Sequence, residues 1–351
     1  MRLFLGALTL AVMTFAAVPI AASGSVRLRG TAYEFNNTTV RLGGATIRVA
    51  EDSSLRAVTK PDGTYVLKVP DRARVTPYIV APGYHTIFLQ TFRTDGEDLE
   101  RVNFQTPTDG VYRALADLLA VPVGPDGEPT ECAIVSTFST RNVRDVSFEA
   151  FRSYGAHGVP GATAFATPTL PAPVYFNDQV IPDPGQPRSS VDGGVIWTRV
   201  PAGVYTIRAR HSSTRFASFV ATCAPGRIVN ANPPWGLHEL GERMPATVSA
   251  DWDVDGSRVA LRRLRVASVP RRGIVRVRCR GQGCPFGSRR LRPATRSFAA
   301  PGLRAGQTVE VLVTAGGHDG KLVRWRLRSS RRPVRVTRCV PLGNTQPRKR
   351  C

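Results

Sequence analysis

The sequence predicts an all-β protein built of tandem antiparallel sandwiches with one short helical insertion, and three observations carry this. The 32 Gly and 28 Pro among 351 residues supply turns at close spacing. The apolar residues, 42% of the chain, fall in short alternating runs instead of at helical spacing, and aromatic residues are only 8%. One order of turns and strands also occurs twice along the chain. At roughly 100–200 residues per domain, the length predicts two or three domains, each with apolar residues enough for a core.

Taken in order, the first segment reads as an address. Met1-Arg2 gives a short positive start, Leu3 to Ile20 is an almost unbroken apolar run, and Ala21-Ala22-Ser23-Gly24 supplies small residues for cleavage. This is the pattern of a secretory signal peptide over residues 1–23, with an uncleaved anchor as the rival reading. No other apolar run approaches spanning length, so no membrane span is expected after cleavage.

A first β domain is expected over residues 24–107. From Ser25 to Phe35, Val26, Leu28 and Gly30 alternate with Arg27 and Arg29, which suits a half-buried strand. Leu42 to Val49 reads as a glycine turn entering a second strand. Lys60-Pro61-Asp62-Gly63 is a turn in which Pro presets the backbone and Gly accepts a positive φ, and Thr64 to Pro70 is the strand that follows. Val75 to Ala81, closed by Pro82-Gly83-Tyr84, supplies a fourth.

After a linker with a short helix, residues 108–123, the same order returns over residues 124–245. Gly161-Ala162-Thr163 stands for Gly44-Ala45-Thr46, Asp192-Gly193-Gly194-Val195 for Asp62-Gly63-Thr64-Tyr65, and Val200-Pro201-Ala202-Gly203-Val204-Tyr205 continues as a strand-turn-strand. A Gly-Ala-x-apolar strand, then Asp-Gly-x-Tyr or its variant, then apolar-Pro-x-Gly-x-Tyr resembles the carboxypeptidase regulatory-like domain. That resemblance implies a transthyretin-like antiparallel sandwich, within a wider carbohydrate-binding-like fold group, that accompanies hydrolases as an accessory module or recurs in surface proteins. It covers residues 26 to about 105 well and 130–235 less well. Turn and core positions carry it, so it speaks to fold and not to function.

The second copy departs from the first in two places. A helical insertion is expected from Asp145 to Tyr154, capped by Asp145 or Ser147 and stopped by Gly155. A proline-rich loop, Pro168 to Pro187, presents Tyr175 and Phe176 as a candidate sugar-stacking surface, or else as side chains packed on the sandwich. Asn177, Asp178 and Asp183 in that loop have oxygen atoms suited to calcium, but match no calcium-loop spacing.

Residues 246–338 read as a basic all-β domain and 339–351 as a basic tail. Ala246 to Cys351 holds 25 of the 48 Lys plus Arg and five of the 26 acids, so +20 of the formal net charge of +22 lies there. Val275, Val277 and Cys279 alternate with Arg276, Arg278 and Arg280; Val323, Trp325 and Leu327 alternate with Arg324, Arg326 and Arg328. Each such strand has an apolar face and an Arg-lined face. The Arg276 to Pro285 stretch resembles a small sandwich found at the ends of exported actinobacterial proteins. Either these six arginines bind an anion or they form a solvated face.

The six Cys form an even set in an exported chain, so disulfides are expected. The favoured pairs are Cys132 with Cys223, Cys279 with Cys284, and Cys339 with Cys351, the last tethering the tail. A four-Cys zinc site from the last four is the alternative, although the spacing lacks a two-residue knuckle.

No enzyme is expected, and no cofactor. None of His85, His157, His211, His238 and His318 opens a His-x-x-Glu pair, and neither a Gly-x-Ser-x-Gly elbow nor a phosphate loop occurs. The expectation is a secreted, non-catalytic scaffold, extracellular or wall-associated, whose basic domain contacts anionic cell-wall polymer or polysaccharide. A carbohydrate-binding module and an accessory module for a separate hydrolase are the alternatives. Nucleic acid is a poorer partner for the basic domain, because Trp325 alone interrupts its Arg runs and base stacking needs more aromatics.

Overall fold

A computed structural model describes residues 24–144, 147–152, 157–231, 233–291, 297–341 and 347–349. The expected signal peptide, residues 1–23, lies outside them.

The first sandwich contains β1 (Ser25–Glu34), β2 (Asn37–Arg41), β3 (Thr46–Val49), β4 (Arg56–Val58), β5 (Thr64–Pro70), β6 (Arg74–Val75), β7 (Pro77–Ala81), β8 (Tyr84–Phe88), β9 (Phe92–Arg93) and β10 (Phe104–Thr106). Strand β1 organises one sheet. Its first part pairs antiparallel with β5, from Ser25 opposite Pro70 to Thr31 opposite Thr64, and its last residues lie between β2 and a parallel β10. The alternation sends Val26, Leu28 and Ala32 inward onto Ile47, Ile79 and Ile87 of the facing sheet. The turn ahead of β5 forms as the sequence requires: Gly63 takes φ +76°, and its N–H donates to the Lys60 carbonyl at 2.8 Å.

A helix, α1 (Asp109–Leu118), follows; the Thr108 hydroxyl caps it by accepting from the Val111 N–H at 3.2 Å, and Tyr112 and Ala116 are its buried residues. The second sandwich comprises β11 (Cys132–Thr137), β12 (Thr163–Thr167), β13 (Val174–Phe176), β14 (Pro182–Asp183), β15 (Gly194–Val200), β16 (Gly203–Arg210), β17 (Phe219–Cys223) and β18 (Ile228–Ala231). Its core places Ile134, Trp197 and Val229 from one sheet against Ile207, Phe219 and Ala221 from the other.

These two sandwiches share a sheet. Parallel pairing of β18 with β8, Val229 opposite Phe88, joins the halves into nine strands in the order β14-β13-β15-β11-β18-β8-β7-β3-β4. The seam is reinforced by side chains: Trp235 packs on the first core while its indole N–H donates to the Arg101 carbonyl at 3.1 Å, and the Gln90 side chain accepts from the Gly236 N–H at 2.9 Å. Sharing a sheet covers two edges that separate sandwiches would leave open.

The expected single helical insertion is two short helices, α2 (Arg141–Arg144) and α3 (Phe148–Arg152). Asp145 and Gly155 lie outside the described residues; Ser147 caps α3, its hydroxyl accepting from the Ala150 N–H at 3.1 Å. Phe148 and Phe151, one helical turn apart, rest on Tyr33 of the first sandwich with ring centroids 5.0 and 6.4 Å away. The insertion therefore grips the neighbouring sandwich.

The third sandwich comprises β19 (Thr247–Asp255), β20 (Arg258–Ala267), β21 (Ile274–Arg280), β22 (Ser288–Leu291), β23 (Ser297–Arg304), β24 (Thr308–Thr314), β25 (Gly320–Arg328) and β26 (Arg331–Val340). A three-stranded sheet, β19-β20-β23, faces a five-stranded one, β22-β21-β24-β25-β26. Val277, Val309, Val311, Val323 and Trp325 fill the space against Leu261 and Leu264.

Two expected disulfides are formed. Cys132–Cys223 ties β11 to β17, and so one sheet of the second sandwich to the other, with Cα atoms 5.5 Å apart; Cys279–Cys284 closes the turn after β21. Because the Cys279 and Cys284 sulfurs are bonded to each other, the four-Cys zinc alternative is ruled out. The third expected pair rests on Cys351, which lies outside the described residues.

Candidate functional site

A cluster of arginines lies on the outer face of the five-stranded sheet. Alternation on β21 turns Val275, Val277 and Cys279 to the core and leaves Arg276, Arg278 and Arg280 outside. The register then fixes what stands beside each: Arg278 is opposite Glu310, which is opposite Arg324; Arg276 is opposite Leu312, which is opposite Leu322; Arg280 is opposite Thr308, which is opposite Arg326. Along β21 the arginines recur at about 6.8 Å, and β25 lies two strands, about 9.6 Å, away.

Glu310 organises this face. Its side chain, only 7% exposed, accepts from Arg280 Nε at 2.8 Å through one carboxylate oxygen and from Arg324 Nε at 2.8 Å and Nη2 at 2.7 Å through the other. Burial alone would push the carboxyl up. The hydrogen bonds and charges of Arg280 and Arg324 outweigh that and hold it below the usual value, so it stays ionised. The side chains of Arg276 and Arg278 make no hydrogen bond or ion pair among the described residues. Together with Thr308, Leu312 and Leu322, these groups line a cleft of about 630 Å³, with Val340 and Pro347 at its rim. The arrangement can hold anionic oxygens by charge-assisted, forked hydrogen bonds.

Four of the six candidate arginines, Arg276, Arg278, Arg280 and Arg324, thus come together, and two do not. Arg328 is committed to the turn between β25 and β26, donating to the Arg332 carbonyl at 3.0 Å, and Arg326 is exposed outside the cleft. Sequence reading missed Glu310, although Thr308, Glu310 and Leu312 alternate with Val309, Val311 and Val313 and so had to share the Arg face.

The proline-rich loop does not supply the surface expected of it. Tyr175 and Phe176 are buried, because β13 adds to the nine-stranded sheet beside β15: Tyr175 turns into the core of the second sandwich, and Phe176, on the opposite face, lies with Tyr112 and Ala116 of α1. The Tyr175 hydroxyl accepts from the Ala164 N–H at 3.0 Å across the sandwich. Neither ring has a face for a sugar. Two of the three residues considered for calcium close turns instead: Asn177 Oδ1 accepts from the Gln179 and Ile181 N–H groups, and Asp183 Oδ1 from that of Gly185.

No family model matches the chain. No curated protein matches it either, so the carboxypeptidase regulatory-like resemblance rests on its motif residues alone. Among solved structures, similarity is found to the Bacillus anthracis TIE protein (12% identity, 88% of this chain and 48% of that one, TM-score 0.19). It is also found to a streptococcal ancillary pilin (9% identity, 90% and 95%, TM-score 0.20) and to a DUF3823 family protein from Bacteroides ovatus (12% identity, 59% and 98%, TM-score 0.18). The chain spans about half the length of the Bacillus anthracis protein. At such TM-scores these similarities decide nothing about this chain, and its sandwich architecture is read from its own sheets. No helix among the described residues is long and apolar enough to cross a membrane.

Proposed function

We propose that this is a secreted, non-catalytic surface scaffold whose C-terminal sandwich holds an anionic polymer in the arginine cleft. The observation that carries the reading is the Glu310 anchor: it fixes Arg280 and Arg324 in place while Arg276 and Arg278 remain unpaired beside them. Fixed guanidinium groups lose less conformational freedom on binding than free ones. The disulfide that crosses the second sandwich favours an oxidising, extracellular setting. The cleft contains no aromatic side chain, and Trp325 is turned into the core, which favours a wall polymer over a nucleic acid.

The test is retention of the full chain on purified bacterial cell wall, on a sulfated polysaccharide and on DNA, each at low and high salt. Wall retention that fades with salt, and that falls by about 30-fold in affinity when Arg276→Ala and Arg278→Ala are combined, is expected from about 1 kcal/mol per exposed guanidinium. Retention that this pair of changes leaves intact sinks the reading, and preference for DNA would replace the ligand.

A further inference from the structure

We propose that the cleft between the first sandwich and the helical insertion binds a neutral sugar ring of a glycan. The insertion covers the end of the outer face of β1, where Phe148 and Phe151 lie on Tyr33, and leaves Arg29, Thr31, Thr64 and Val66 as the floor of a cleft of about 360 Å³. That volume is in the range of pockets that hold small ligands.

Two kinds of surface meet there. One wall is apolar: Phe148 and Phe151 are half-buried, Pro233 and Pro234 stand beside them, and Val66 is 50% exposed. The other presents hydrogen-bonding groups that the protein does not spend on itself. Asn103 Oδ1 accepts from the Thr31 N–H at 3.0 Å, while its amide N–H groups and the Thr31 hydroxyl make no hydrogen bond among the described residues. Arg29 Nη1 lies 2.5 Å from Glu100 and 3.0 Å from Asp98, which leaves donors and carboxylate acceptors side by side, with Lys60 and Arg101 also in the lining.

The presence of both signs of charge in one cleft selects the ligand class. An anion would meet Glu100, and a cation would meet Arg29, Lys60 and Arg101. A hydroxyl donates and accepts at once, so a ring bearing several can satisfy the Asn103 amide, the Thr31 hydroxyl and the Glu100 carboxylate together. The apolar face of the same ring can lie against Phe148 or Phe151. This site is independent of the arginine cleft, which lies in another sandwich.

The experiment is titration of the full chain with cello-, chito- and malto-oligosaccharides, followed by calorimetry or NMR at low and high salt. Two variants address the cleft without disturbing the core. Asn103→Asp keeps the acceptor for the Thr31 N–H and removes the amide donor; Val66→Lys places a long side chain over the floor from an exposed position. The expected result is salt-resistant binding of at least one of the three, weakened about tenfold or more by each variant and unchanged by Arg276→Ala with Arg278→Ala. Binding of none by folded protein overturns the proposal. So does binding that both cleft variants retain, or that only the arginine variant loses.

Discussion

Replacing Cys132 and Cys223 by Ala tests how the second sandwich is held, and the structure sets the size of the effect. The bond crosses between the two sheets and closes a loop with a sequence separation of 91, whereas Cys279–Cys284 closes one of 5. If a disulfide acts by restricting the unfolded chain, loop-closure entropy gives about 4.6 kcal/mol at 25 °C for the longer loop and about 2 kcal/mol for the shorter. A domain is stable by about 5–15 kcal/mol, so the first loss takes a large share of the total and the second a small one. Because the chain has several cores, one unfolding curve would mix them. Hydrogen exchange of the full chain in increasing urea separates them: peptides from β11, β15 and β17 report the second sandwich, and those from β24 and β25 the third. The double Ala variant should lower the opening free energy of the second sandwich by about 4–5 kcal/mol and leave the third unchanged. Cys279→Ala with Cys284→Ala should lower only the third, by about 2 kcal/mol. Equal losses from the two pairs, or a loss below about 1 kcal/mol from the long one, would refute the loop-length reasoning.

Three further outcomes follow from single sites. Glu310→Gln removes the charge that anchors Arg280 and Arg324 and should cost the third sandwich about 1–3 kcal/mol by urea titration at neutral pH. Since the native carboxyl is held below its ordinary value of 4.5, its contribution is complete above that pH and is lost as pH falls through the native value; the Gln variant should lack this acid-dependent step. His85 is stacked on Tyr112 at 3.6 Å, and burial lowers its pKa to about 4, with the charge of Asp109 opposing only in part. The unfolded chain takes up a proton from about pH 6.5 downward that the native imidazole refuses, so stability should fall by up to about 3 kcal/mol between those values. His85→Phe, which keeps the stack, should flatten that loss. Burial pushes up the carboxyl of Glu128, 3.2 Å from His85, with raising contributions from the charges of Asp126 and Asp109, so protonation of Glu128 restores some stability at lower pH. Finally, Gly30→Ala should destabilise the first sandwich by about 3 kcal/mol or more, because a Cβ there would collide with the Val102 carbonyl oxygen; a change in Tm near zero would mean that this segment moves away freely.

What the sequence by itself determined is the local grammar. Alternation over Ser25–Glu34, Thr64–Pro70 and Ile274–Arg280 sets both the strand and the face each residue takes, because side chains on a strand alternate with period two. Gly63 and Asp62 fix a turn by their own backbone and side-chain preferences. The arginine face was legible for the same reason, and the Cys132–Cys223 and Cys279–Cys284 pairs followed from number and spacing. Tertiary structure alone decided three things. Pairing of β18 with β8 merges two sandwiches into one sheet, and strand ends with backbone to spare carry no sequence mark of the partner they will take. Tyr175 and Phe176 are buried because β13 joins a sheet edge, an outcome that a proline-rich run does not announce. Glu310 became the anchor of Arg280 and Arg324 only when cross-strand register set residues 278, 310 and 324 in one row, since proximity across a sheet depends on register and not on distance along the chain.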